Sequence, residues 1–225
     1  SHPIFRGELK ADTITMNGVE LTDIRSFVHY ENGIIEMERT GFRQGADGSV
    51  TARLRYDIDT QALRGTMDIT RMDVGALLAL ANQKEDRITG QITSRAVLGG
   101  TRDNPSIALT GRIEEGTIAS YPVRDVEIDA ALANHVLTLR TLTGRQGSGS
   151  FSATGTVDFN GMANVDVTAS DIALGIFTSF AAFEEATGTA SVTAHIGGNT
   201  QNPEVDVHLT AKNGGAHGAS FDELT

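Results

Sequence analysis

The sequence predicts a curved, mostly antiparallel, elongated all-β sheet: a groove with one apolar concave face, carrying two short helices. Three observations carry this. Apolar and polar residues alternate along many stretches, which makes one face of each extended segment greasy and the other wet. Turn formers are plentiful, with 25 glycines, while aromatics reach only 5% and tryptophan is absent, a balance that suits many strands joined by turns. The chain also repeats itself, since Gly99-Gly100-Thr101-Arg102-Asp103-Asn104-Pro105 returns as Gly197-Gly198-Asn199-Thr200-Gln201-Asn202-Pro203, 98 residues later.

In chain order, extended segments are expected at 13–16, 34–38 and 50–59, then at 88–98, 107–113, 126–132 and 136–142, and finally at 151–159, 165–169 and 205–209. In the third, Val50, Ala52, Leu54, Tyr56 and Ile58 alternate with Thr51, Arg53, Arg55, Asp57 and Asp59. Phe151, Ala153, Val157 and Phe159 alternate in the same way with Ser152, Thr154, Thr156 and Asp158. Such alternation argues for an antiparallel sheet with one solvated face rather than a parallel sheet covered on both. Asn32-Gly33, Asp47-Gly48, Asn134-His135 and Asn160-Gly161 are placed for hairpin turns. Apolar runs at 74–82 and 172–185 read as the two helices, with Asp73 and Asp171 as their N-caps.

The repeat keeps its register upstream of the Asn-Pro signature. Asp68-Ile69-Thr70 corresponds to Asp166-Val167-Thr168, Asp73-Val74 to Asp171-Ile172, and Gly90 to Gly188, while His2-Pro3 marks an earlier copy. The expected organisation is one continuous segment, with a first unit over 1–100, a second over 101–198 and the start of a third over 199–225. The opening Ser1-His2, without Met, reads as the trimmed edge of a longer chain.

Charge and composition exclude several classes of function. A net charge of −11 and the lack of a Lys/Arg run disfavour nucleic acid and anionic membrane surfaces. Without cysteine there is no disulfide, thiol nucleophile or Cys-zinc site. No apolar run reaches 18 residues. No phosphate-binding loop, dinucleotide fingerprint, zinc-protease motif or nucleophile elbow appears. Gly147-Ser148-Gly149-Ser150 reads as a turn or bulge, and Glu114-Glu115 and Glu184-Glu185 as solvated turns or helix ends. The six histidines lack metal-ligand spacing, and Asp57/Asp59 offer too few oxygens for calcium. The expectation is a non-enzyme with no cofactor.

The order strand, Asp-led apolar helix, Gly, strand, Gly-Gly, Asn-Pro, strand runs from Asp73 to Ile113 and again from Asp171 to Leu209. In this it resembles the repeating units of the TamB/AsmA-like family. The resemblance implies a long, taco-like sheet crossing the periplasm from an inner-membrane anchor, with an apolar lining. It also implies a link to phospholipid movement between the two membranes, and to outer-membrane protein assembly with a β-barrel partner. The anchor and the segment that meets that partner are not represented in this sequence.

A one-faced sheet must bury that face or offer it to something else. Taking the apolar parity of each segment as inward, the groove lining is expected to comprise Val50, Leu54, Tyr56, Ile58, Ile69, Ile107, Leu109, Ile128, Leu132, Leu137, Leu139, Phe151, Val157, Phe159, Val165, Val167, Val205, Val207 and Leu209. Its occupant would be a phospholipid or another acyl-chain ligand. Open edges also invite an added strand, either from an unfolded barrel protein or from a second copy in an edge-to-edge dimer. A closed, adhesin-like sandwich is the third reading.

Overall fold

The computed structural model describes residues 4–83, 86–181, 186–216 and 219–225. It is all-β, with a single sheet of 14 strands that lie side by side in chain order. The strands are β1 (Phe5–Met16), β2 (Val19–Glu31), β3 (Ile34–Gln44), β4 (Gly48–Asp57), β5 (Leu63–Asp73), β6 (Ile88–Gly100), β7 (Pro105–Ile118), β8 (Tyr121–Ala133), β9 (Val136–Gln146), β10 (Gly149–Asp158), β11 (Ala163–Ala173), β12 (Thr187–Asn199), β13 (Asn202–Ala216) and β14 (Ala219–Leu224). Two helices interrupt them, α1 (Val74–Leu80) after β5 and α2 (Leu174–Ala181) after β11. Short hairpins favour antiparallel neighbours, and β1 and β14 are the unpaired edges. The chain divides into two compact units: residues 1–86, 90–112 and 131–134 form the first, and 87–89, 113–130 and 135–225 the second.

Turn chemistry sets the hairpins. Asn17-Gly18 and Asn32-Gly33 turn with both residues at positive φ, as do Asn134 and His135, which is the backbone that two-residue hairpins require. Gly100 and Gly198 sit at φ 82° and 80°, just before the turns that lead into Pro105 and Pro203. That left-handed backbone explains why glycine recurs there. Asp47-Gly48 is not the centre of its turn. The chain turns at Gly45, with φ 60°, and Gly48 already opens β4.

In the first unit, α1 lies on one face of the sheet at the start of β2. Ala76 packs with Val19 and Leu21, flanked by Ile24, Phe42, Ala79 and Leu80. Asp73 caps it, its Oδ1 accepting from the Ala76 amide at 2.8 Å, and from the β1–β2 turn Asn17 Nδ2 donates to the Ala79 carbonyl at 3.1 Å. In the second unit, Ile176 packs with Ala169 and Ile172 against Ile118, Tyr121 and Phe151. Leu174 joins Ala186, Ala190, Val192 and Ala211 in a neighbouring cluster. Asp171 does not cap α2. It lies inside β11 at φ 53°, two residues before Ala173, which holds the position of Asp73. The expected helix end at Glu184-Glu185 and the His2-Pro3 copy lie outside the described residues.

The units share smaller devices. The Asp73 amide donates to Gln44 Oε1 at 3.5 Å and the Ala173 amide to Gln146 Oε1 at 3.0 Å. The Arg71 amide donates to Thr93 Oγ1, and the Asp171 amide to Ser191 Oγ.

Candidate functional site

Register places the apolar residues of each unit on one face. In the first unit, Val50 pairs with Ile69, Ala52 with Met67, Leu54 with Gly65 and Tyr56 with Leu63. On the other side of β4, Tyr56 faces Ile35, Leu54 faces Met37 and Val50 faces Phe42. The row continues into β6 through Met72–Ile92, Met67–Ala96 and Gly65–Leu98. It reaches the edge through Tyr30–Phe5, Ser26–Leu9, Leu21–Ile14 and Val19–Met16. A Cβ on Gly111 would meet Ser94 and Ile92, so β7 points Gly111 the same way, and with it Leu109 and Ile107.

The second unit repeats the arrangement. Leu137 pairs with Val157, Leu139 with Gly155 and Gly144 with Phe151. Val157 then faces Ala163, Gly155 faces Val165 and Ala153 faces Val167. Val165 meets Ile196, and Val167 meets Ala194, whereas Val205, Val207 and Leu209 face Ile196, Ala194 and Val192. Ile128 lies half-buried on β8, on the parity of the buried Val126, and Leu132, which belongs to the first unit, is half-buried as well. Two expected lining residues fall just past a strand: Ile58 comes after β4 and Phe159 after β10, both exposed.

Along β4 and β13, burial grades from the helix end outward. On β4, Val50 is 3% exposed and Ala52 is buried, Leu54 and Tyr56 are half-buried, and Ile58 beyond them is 44% exposed. On β13 the sequence runs from Ala211 at 0% through half-buried Leu209 to Val207 at 52% and Val205 at 56%. The helices therefore close one end of the apolar face in each unit and leave the other open. Phe5, Leu9, Ile14 and Met16 leave β1's inward row exposed.

Few polar groups interrupt this face. Ser26 Oγ is satisfied by Thr40 Oγ1 at 2.7 Å, whereas the buried Ser94 Oγ has no hydrogen-bond partner. The opposite face is polar and laced with cross-strand ion pairs, among them Arg55–Glu36, Arg95–Asp68 and Arg140–Asp129. His195 Nδ1 and Asp166 Oδ1 lie 2.8 Å apart, and His208 sits on the next strand opposite Thr193, all on exposed positions. Among the described residues, no three potential metal ligands converge.

Reading strict alternation misses the inward rows of β1, β2, β3 and β12, and finds only Ile69 on β5. The signal that could have found them is a single three-residue step: Val19, Leu21, then Ile24, Ser26, Val28; or Ile35, Met37, then Thr40, Phe42. Each step is a β-bulge, where the register shifts. Set against known families, curated proteins and solved structures, the chain matches none.

Proposed function

We propose that the chain binds lipid acyl chains along its inward apolar face, as a groove segment of a TamB/AsmA-like protein spanning the periplasm between the inner and outer membranes. Binding rather than catalysis is the activity. The observation that supports it most is the uninterrupted apolar row with one end left open in each unit, from Val50 to Ile58 and from Ala211 to Val205. Burial of apolar surface gains about 0.8 kcal/mol per CH2, so a tail of about 16 carbons gains on the order of 10 kcal/mol before ordering costs. No fixed polar contact is needed along such a row, which lets a tail move between near-equivalent positions.

A photoreactive residue at Leu54, Tyr56 or Val167 is expected to crosslink to co-purifying lipid, while one at the outward Thr51 or Thr168 is not. Native mass spectra should carry lipid adducts that delipidation removes. Crosslinks from the inward positions only to other protein side chains would falsify the acyl-binding reading.

A second reading rests on the exposed inward row of β1, which is an edge strand. That edge can accept an extended peptide from an outer-membrane barrel protein by strand addition. Proline placed at alternate β1 positions whose amides point outward abolishes peptide binding in this reading, and leaves lipid adducts intact.

A further inference from the structure

From the polar face of the first unit we infer a second binding site, an arginine-walled hollow that takes a ligand bearing phosphate groups. The hollow encloses about 610 Å3. Arg25 on β2, Arg39 and Arg43 on β3, Arg53 on β4 and Arg95 on β6 line it, together with Asp23 and Asp68. Five arginines against two aspartates leave a balance of +3, in a chain whose net charge is −11.

Small residues make the floor. Arg25 pairs with Gly41, Gly41 with Thr51, Thr51 with Asp68 and Asp68 with Arg95. This row across five strands thus has a side-chain gap at Gly41 and short hydroxyls beside it. Three of the five guanidiniums have a partner within the chain, and two have no ion pair among the described residues. Arg95 lies 3.6 Å from Asp68, Arg43 donates to the Ala46 carbonyl, and Arg39 stacks 4.3 Å over the Phe27 ring. Arg25 and Arg53 form no ion pair among the described residues. Guanidinium forks match the paired oxygens of phosphate, and several acting together outweigh the weakness of a single exposed pair.

The second unit supplies an internal control. A hollow of about 520 Å3 occupies the corresponding place, lined by Asp125, Glu127, Arg145, Ser150 and Ser152. Asp23, Arg43, Ser49 and Thr51 thus have counterparts there, but Glu127 stands where the first unit has Arg25, and Thr154 where it has Arg53. One arginine against two acids gives −1, so the same backbone is set to repel an anion.

The site lies on the face opposite the acyl-binding row, and its test is independent of that reading. Pyrophosphate titrated into the whole chain at low salt is expected to bind saturably, weakening as salt screens it. The Arg25→Gln/Arg53→Gln double variant should weaken binding about tenfold or more, whereas Arg145→Gln and Arg102→Gln should leave it unchanged. Vesicles containing phosphatidic acid form the second arm. Arginine-dependent binding to vesicles alone identifies a lipid headgroup, and arginine-dependent binding of pyrophosphate identifies a free phosphate compound. No saturable binding in either arm, or equal losses in the Arg25/Arg53 and Arg102 variants, overturns the proposal. All four arginines are exposed, so amide exchange of β2–β5 checks that the variants keep their register.

Discussion

Residue-level comparison of the two units shows bulk moving between partners across a strand pair. In the first unit Phe42 of β3 faces Val50 of β4; in the second, Gly144 of β9 faces Phe151 of β10. The phenyl ring has changed strands, and the nearest atoms that a Cβ on Gly144 would meet are all in that ring. Cross-strand pairs are the unit in which a sheet conserves its packing. Gly144→Ala is therefore expected to cost about 1–3 kcal/mol through overpacking, and Phe151→Val about 1–2 kcal/mol through lost contacts. The double variant Gly144→Phe/Phe151→Val reproduces the first unit's pair, and its loss should fall short of the summed single losses by about 1 kcal/mol or more. Strict additivity in urea melts would show that the two positions do not share one packing volume.

The same scale carries a pH effect. Asp57, at the end of β4, accepts a hydrogen bond from the Thr60 amide at 2.9 Å. The backbone hydrogen bond holds its carboxyl below the usual 3.8, helped by the Thr60 side chain and, less, by Arg55. A depressed folded value means the ionised form favours the folded chain. Its contribution is present at neutral pH and above the unfolded value, and is lost as pH falls through the lower folded value. Thr60→Pro removes the donor, so the Asp57 midpoint followed by NMR should rise toward the ordinary value. An unchanged midpoint would rule out the amide as the cause.

At the scale of elements, the bulges decide how much of the fold is legible from alternation alone. Strands that run without interruption on their inward side, such as β4 at Val50, Ala52, Leu54 and Tyr56, declare themselves through alternation. Interrupted strands do not. Asp23, Arg39, Arg71, Asp125, Asp171 and Asn213 all sit at φ between 47° and 53°, and each extra residue flips the parity of the residues after it. A two-residue rule then reads half of the strand as pointing outward. Alternation therefore hides β2, while the fold class, the hairpins at Asn32-Gly33 and Asn134-His135 and the inward parity of β10, β11 and β13 are legible. The cap misreading has the same origin, because Asp171 falls at the bulge and Ala173 at the helix start. Left-handed backbone costs a residue with a Cβ about 1–2 kcal/mol, least for Asp and Asn, and glycine nothing. Asp171→Gly is accordingly expected to be neutral or stabilising by up to about 1 kcal/mol, and Asp171→Val destabilising by about 1–2 kcal/mol. Equal melting temperatures for the two variants would remove the strain account of this bulge.

For the whole molecule, the recurrence of six strands and one helix means that each unit carries its own ladder and its own helix-capped cluster. Chains built this way gain stability from units and from neighbouring interfaces, so a local lesion need not melt the rest. Gly175 tests this, because a Cβ there would strike the Tyr121 hydroxyl, and the ring is held in the cluster of Ala169, Ile172 and Ile176. Its counterpart Gly75 meets only Asp73 Oδ1, at 3.1 Å. Hydrogen exchange of Gly175→Ala is expected to show protection falling in β10, β11 and β12 while β3, β4 and β5 keep theirs. Tyr121→Val, which installs the residue found at Val19, should restore much of the loss. A uniform fall along all strands would instead mean a single cooperative sheet, in which the covered helix ends of both units rise and fall together. The open ends of the apolar rows would then share one fate as well, and lipid binding in one unit would stabilise both. Under the unit-by-unit expectation, a bound tail raises protection only in the strands it touches, and the same exchange measurement made with lipid distinguishes the two cases.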